Sequence, residues 1–109
     1  MKFGGGGNMK NLMKQANQMK EKMEKRQAEA GEKRGEATSG GGMVTVVAKA
    51  KGEVLSSKIE TDIVQDNDIE MLQDLITAAV NEALNRGQDI MKEEVSKAAG
   101  GMGIPPGLL

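Results

Sequence analysis

Apolar residues recur every three or four positions near the start of the chain: Met9, Leu12, Ala16, Met19, Met23 and, after an interruption at Arg26, Ala30. Met13 widens the stripe. This spacing predicts a helix from Asn8 to about Ala30, with a seam of the kind that packs on another helix. Asn8 is the expected N-cap, because its side chain can accept from a free amide of the first turn. Residues 1–7 end in four glycines and read as a flexible arm. The basic helical segment is assigned to 8–34, with Gly31 and Gly35 bracketing its end.

The period then changes. Val44, Val46, Ala48 and Ala50 alternate with Thr45, Val47, Lys49 and Lys51, which is strand spacing. Lys51-Gly52-Glu53 reads as a turn and 54–61 as a second strand. Glycine-rich 35–43 is a loop from which 35–38 could add a short third strand, so residues 35–63 form a hairpin sheet. Helical spacing returns with Ile69, Leu72, Leu75, Ile76, Ala79, Val80, Ala83 and Leu84, then Ile90, Met91 and Val95. A long helix is expected over 67–99, capped by Asn67 with Glu70 three residues on. Gly87 is its expected weak point or kink. Pro105 and Pro106 make 100–109 an extended tail. The predicted class is α+β in two layers: N-terminal helix, two- or three-stranded antiparallel sheet, long C-terminal helix.

Composition sharpens this. A chain of 109 residues reads as one domain with a modest core. Its single aromatic is Phe3, so Met, Leu, Val, Ile and Ala must supply the burial. Self-association would enlarge such a core. Leu12, Met13, Ala16 and Met19 of the first helix are therefore expected in a core or dimer interface, as are Val44, Val46, Leu72, Leu75, Ile76, Ala79 and Val80. Cysteine and histidine are both absent. That removes disulfides, thiolate metal sites, cysteine nucleophiles and the usual general base. No nucleophile constellation remains, so no catalytic residue, cofactor or metal is expected. No run approaches a membrane span, and the N-terminus lacks the apolar core of a signal peptide, so a cytoplasmic protein is expected.

The net charge of −1 conceals an asymmetry. Residues 1–34 hold nine Lys/Arg against four Glu, whereas 35–109 hold six against twelve acidic residues. Such a split points to a nucleic-acid or membrane surface. On a helical projection Lys10, Lys14 and Lys25 lie opposite the seam. Lys20 and Lys22 flank it, Arg26 occupies it, and Lys33 and Arg34 extend the basic run. The bland reading is a solvated face. The other reading is phosphate neutralisation, favoured for duplex over single strands because the segment has no stacking aromatic. The methionine stripe reads as packing, against a copper(I) site or an adaptable peptide groove. Asp62, Asp66, Asp68, Glu70 and Asp74 read as helix capping rather than a hard-ion site.

Four blocks carry a resemblance: LMKQANQMKEKM, SGGGMVTV, EMLQDLITAAVNEAL and GGMGIPPGL. In this order and spacing they resemble the YbaB/EbfC family of bacterial nucleoid-associated DNA-binding proteins, over nearly the whole chain. The resemblance implies a homodimer with helices projecting like tweezer arms, located in the cytoplasm and nucleoid. It also implies binding of double-stranded DNA with limited sequence selectivity, altered DNA shape or compaction, and no enzymatic activity. Lys10, Lys14, Lys22, Lys25, Arg26, Lys33 and Arg34 are the expected DNA contacts. The runner-up is a helical adaptor or chaperone-like dimer gripping proteins with its Met-rich face; a membrane-surface helix is a further reading.

Overall fold

The computed structural model describes residues 5–101. The elements run α1 (Gly5–Gly31), β1 (Arg34–Ser39), a 3-10 turn (Gly40–Gly42), β2 (Val44–Lys49), β3 (Glu53–Ile59), α2 (Thr61–Gln65) and α3 (Ile69–Gly101). The strands form one antiparallel sheet in the order β1-β2-β3. This is the expected α+β arrangement, with the third strand present.

Small side chains set the distance between the two layers. Gly35, Ala37 and Ser39 of β1 sit opposite Ala48, Val46 and Val44 of β2, all on one face. Over that face lies α3, presenting Ala79, Ala83 and Gly87 at every fourth residue. A Cβ on Gly35 would stand 3.0 Å from the Gly87 nitrogen and 3.1 Å from the Ala83 oxygen. Helix and strand therefore meet backbone to backbone. Leu72, Leu75, Ile76, Val80 and Leu84 close the flanks of this core. Ser39 donates from Oγ to the Leu75 carbonyl at 2.6 Å, and Arg86 Nη1 donates to the Glu36 carbonyl at 2.6 Å.

Several expected details differ. Helix α1 begins at Gly5, so Asn8 lies inside it rather than capping it, and Gly5–Gly7 are helical. Once a nucleus exists, each added residue gains a hydrogen bond, which extends a helix beyond its best formers. The helix stops at Gly31; Lys33 lies between elements, and Arg34 opens β1 instead of ending a basic helix. The second hairpin strand runs 53–59, and α2 takes up residues assigned to the strand and loop. Its Ile63 is 1% exposed and buries the short helix. The cap of α3 is Asp68, whose Oδ1 accepts from the Met71 amide at 3.0 Å. Asn67 instead takes φ 57°, a left-handed position that asparagine tolerates. As expected, the last helix runs on through Gly87, where the missing side chain accommodates Ala50, whose Cα would be 3.0 Å from an added Cβ. It also continues through Gly100 and Gly101, past the expected stop. The remainder of the expected tail, 102–109, and the start of the expected N-terminal arm, 1–4, lie outside the described residues.

The hairpin joint shows one strict glycine requirement. Gly40, Gly41 and Gly42 have φ of 60°, 67° and 97°, a run that L-residues with a Cβ rarely adopt.

Candidate nucleic-acid interface

Helix α1 is fixed only over its second half. The Ala50 amide donates to the Lys33 carbonyl at 2.7 Å, and the Lys51 amide donates to the Gly31 carbonyl at 3.1 Å, tying the helix end to the sheet. Gly31 meets Lys51 and Met91, and Ala30 is buried. From there α1 runs back antiparallel to the end of α3, so that Lys22, Lys25, Arg26 and Glu29 share a cleft of about 610 Å³ with Lys97, Ala98 and Gly101. Residues 5–21 reach beyond Gly101, a further length of roughly 25 Å at 1.5 Å per residue. The molecule measures 81 × 21 × 18 Å, with a radius of gyration of 21.7 Å. A compact chain of this length would have about 13 Å. The excess is the projecting arm.

The cationic side chains divide into two groups. Ion pairs among the described residues engage Lys20 with Glu24, Lys33 with Glu94 at 2.6 Å, Lys49 with Glu32 at 2.7 Å and Lys97 with Glu93 at 3.1 Å. Lys10, Lys14, Lys22, Lys25 and Arg26 are exposed and make no ion pair within the described residues. Arg34 is exposed at the start of β1, outside α1. Thus five of the seven expected DNA contacts lie along α1, whereas Lys33 is engaged at its root and Arg34 belongs to the sheet.

The ion pairs at the root are visible in the acids. A hydrogen bond from Lys33 holds the Glu94 carboxyl below its ordinary value, with smaller pulls from Lys97 and Arg26. Hydrogen bonds from Lys49 and Lys51 do the same to Glu32. Lys97 is raised in turn by Glu93. This lysine is the cleft residue that sequence reasoning missed. It lies more than seventy positions from Lys22 in an acidic half of the chain, and only the antiparallel return of α1 brings the two together.

The residues expected in a core or dimer interface also divide. Val44, Val46 and Ala79 are 0% exposed and Leu72, Leu75, Ile76 and Val80 are partly buried around them. Leu12 and Met13 are each 61% exposed, Met19 is 37% exposed, and Ala16 is exposed between them. No metal-binding group of three His, Cys, Asp or Glu residues occurs among the described residues, and none of the described helices is long and apolar enough to cross a membrane.

The fold and the charge together define a class: a small α+β protein that holds out a cationic helix from a sheet-and-helix body. The sequence model of the YbaB/EbfC DNA-binding family matches residues 5–102, and the chain belongs to that family. It is 49% identical to a nucleoid-associated protein of Alkaliphilus metalliredigens, over 94% of this chain and 90% of that one. It is 50% identical to one from Acetivibrio thermocellus, over 96% and 93% of the respective chains. The fold is similar to that of an uncharacterized Helicobacter pylori protein, HP0035, with TM-score 0.52 and 22% identity over 78% of this chain and 90% of that chain.

Proposed function

We propose that this protein binds double-stranded DNA as a homodimer, chiefly through phosphate contacts of low sequence selectivity, and changes DNA shape or compaction in the nucleoid. The observation that carries this reading is the projecting arm, on which Lys10, Lys14, Lys22, Lys25 and Arg26 make no ion pair among the described residues. Lys10, Lys14 and Lys25 lie on one side of α1, and Lys22 and Arg26 join Lys97 at its root. Lysine on an exposed helix neutralises phosphate and releases counterions without reading base edges. Membership in a DNA-binding family and the names of the relatives support the same partner.

The dimer is supported by β3. Its seven residues are all exposed, and the sheet ends there, so one strand edge is unpaired. Val54, Leu55 and Ile59 of β3 lie exposed, as do Val64, Ile69 and Met71 of the neighbouring helices. An exposed strand edge with apolar neighbours invites pairing with another chain. Two arms on one body would raise the effective concentration of the second DNA contact.

Fluorescence anisotropy with random-sequence duplex, titrated at several salt concentrations beside a single-stranded control, tests the reading. Preferential duplex binding with a slope near −5 in log affinity against log salt is expected if about six phosphates are neutralised. Equal binding of both forms, or no binding at low salt, would overturn it.

A further inference from the structure

The apolar seam of α1 has two halves. Over Met23 and Ala30 it is partly or wholly buried, where α1 packs against the last turns of α3. Beyond the end of α3 the same seam continues through Met19, Ala16, Leu12 and Met9, and there it is exposed: Leu12 and Met9 are both 61% exposed. The packing surface on α1 is thus longer than the helix that covers it.

The chain itself supplies more material at that point. Gly101 lines the same cleft as Lys22 and Lys25, so residue 102 follows from the place where the covered seam gives way to the exposed one. The next residues, 102–109, read MGIPPGLL. Four of these eight are large and apolar, and none carries a charged side chain. Two consecutive prolines favour an extended path and lower the entropy lost on docking.

The reach is sufficient. Seven residues from Gly101 to Leu108 span at most about 23 Å when extended. Leu12 lies 13 positions from Lys25, or roughly 20 Å along the helix, and closer still to Lys22.

We propose that residues 102–109 of the same chain dock along Met19, Ala16, Leu12 and Met9, continuing the cover that α3 provides over the root of the seam. A segment without charged side chains on this side leaves Lys10, Lys14 and Lys25 on the other side of the arm exposed. The proposal concerns the free protein and does not depend on which polyanion the lysines contact.

The absence of cysteine permits a direct test in the full chain. Leu12→Cys is combined with Leu108→Cys, and the protein is oxidised without DNA at low concentration. Rapid formation of an intrachain disulfide, resolved as monomer on a non-reducing gel, is expected. The control pair, Lys14→Cys with Leu108→Cys, should close at least tenfold more slowly, because position 14 is on the opposite side of the helix. Equal rates for the two pairs would overturn the proposal, since they would report an undocked segment. So would a disulfide-linked dimer, whether from Leu12→Cys alone, which would place a second copy's arm on the seam, or from the double variant alone, which would place the segment on the partner. In a second measurement, Leu108→Ser with Leu109→Ser should shift the methyl resonances of Met9 and Met19; unmoved resonances would also count against docking.

Discussion

Single residues decide how closely the two layers approach. A Cβ on Gly35 would stand 3.0 Å from the Gly87 nitrogen and 3.1 Å from Arg86 Cβ, and a Cβ on Gly87 would stand 3.0 Å from the Ala50 Cα. Gly35→Val should therefore lower the unfolding free energy by about 1–3 kcal/mol, the usual cost of overpacking, as read from urea denaturation. Ser39→Ala removes one hydrogen bond to a helix carbonyl and should cost about 1 kcal/mol by the same measurement. The acids at the root of α1 respond to pH. Glu94 and Glu32 titrate below their ordinary value in the folded protein, so their contribution is present above the unfolded value of about 4.5 and is lost as pH falls through the lower folded one. Both pairs are solvent-facing, so the effect is small. The thermal midpoint should decline on acidification below pH 4.5, and Lys33→Met should flatten that decline.

The elements show what the chain's pattern could and could not reveal. Helix α3 and strand β2 stood out because Leu72 to Leu84 repeats apolar residues at the helical period over more than three turns, and Val44 to Ala50 repeats them at every second position. Strand β1 was only a possibility, since RGEATS has no large apolar residue; the closeness of α3 requires Gly35 and Ala37 there, and small residues carry little periodic signal. Short α2 was hidden for a different reason: five residues are too few to display a helical period, and Ile63 is held by burial. Among the arm residues, Lys10, Lys14 and Lys25 were legible from helical spacing alone, whereas Lys97 was not, because its neighbours come from the other end of the chain. The arm is also where the element-level prediction lies. Replacing Lys10, Lys14 and Lys25 by glutamine should reduce the steepness of the salt dependence of duplex binding by about one for each lost contact, with the helical circular dichroism unchanged.

At the scale of the whole molecule, the sheet ends in an edge on the side away from the layer contact between β1, β2 and α3. Helix α3 covers β1 and β2, and β3 is left exposed along its length. A second copy at this edge would bury Leu55 and Ile59 and leave the arms projecting from a doubled body. If the proposed dimer pairs at this edge, Leu55→Glu with Ile59→Glu should leave a monomer in sedimentation equilibrium. The monomer should keep its secondary structure, because neither side chain belongs to the buried core of the described residues. Duplex affinity should fall sharply in the same variant, since each monomer would present one arm instead of two.

The wedge that Lys51 and Met91 form against Gly31 gives the arm a mechanical property. With its root held between sheet and α3, and roughly 25 Å of helix beyond the last contact, the arm is a lever with a short inner end. A rotation of about 10° at the root carries the tip some 4 Å, about the rise between successive phosphates on one strand. The inner end, from Lys22 to Gly31, is about 14 Å long, so the same rotation about the last contact moves Gly31 by about 2 Å. If two such arms hold a duplex as proposed, the spacing of their tips responds to the packing of Lys51 and Met91 beside Gly31.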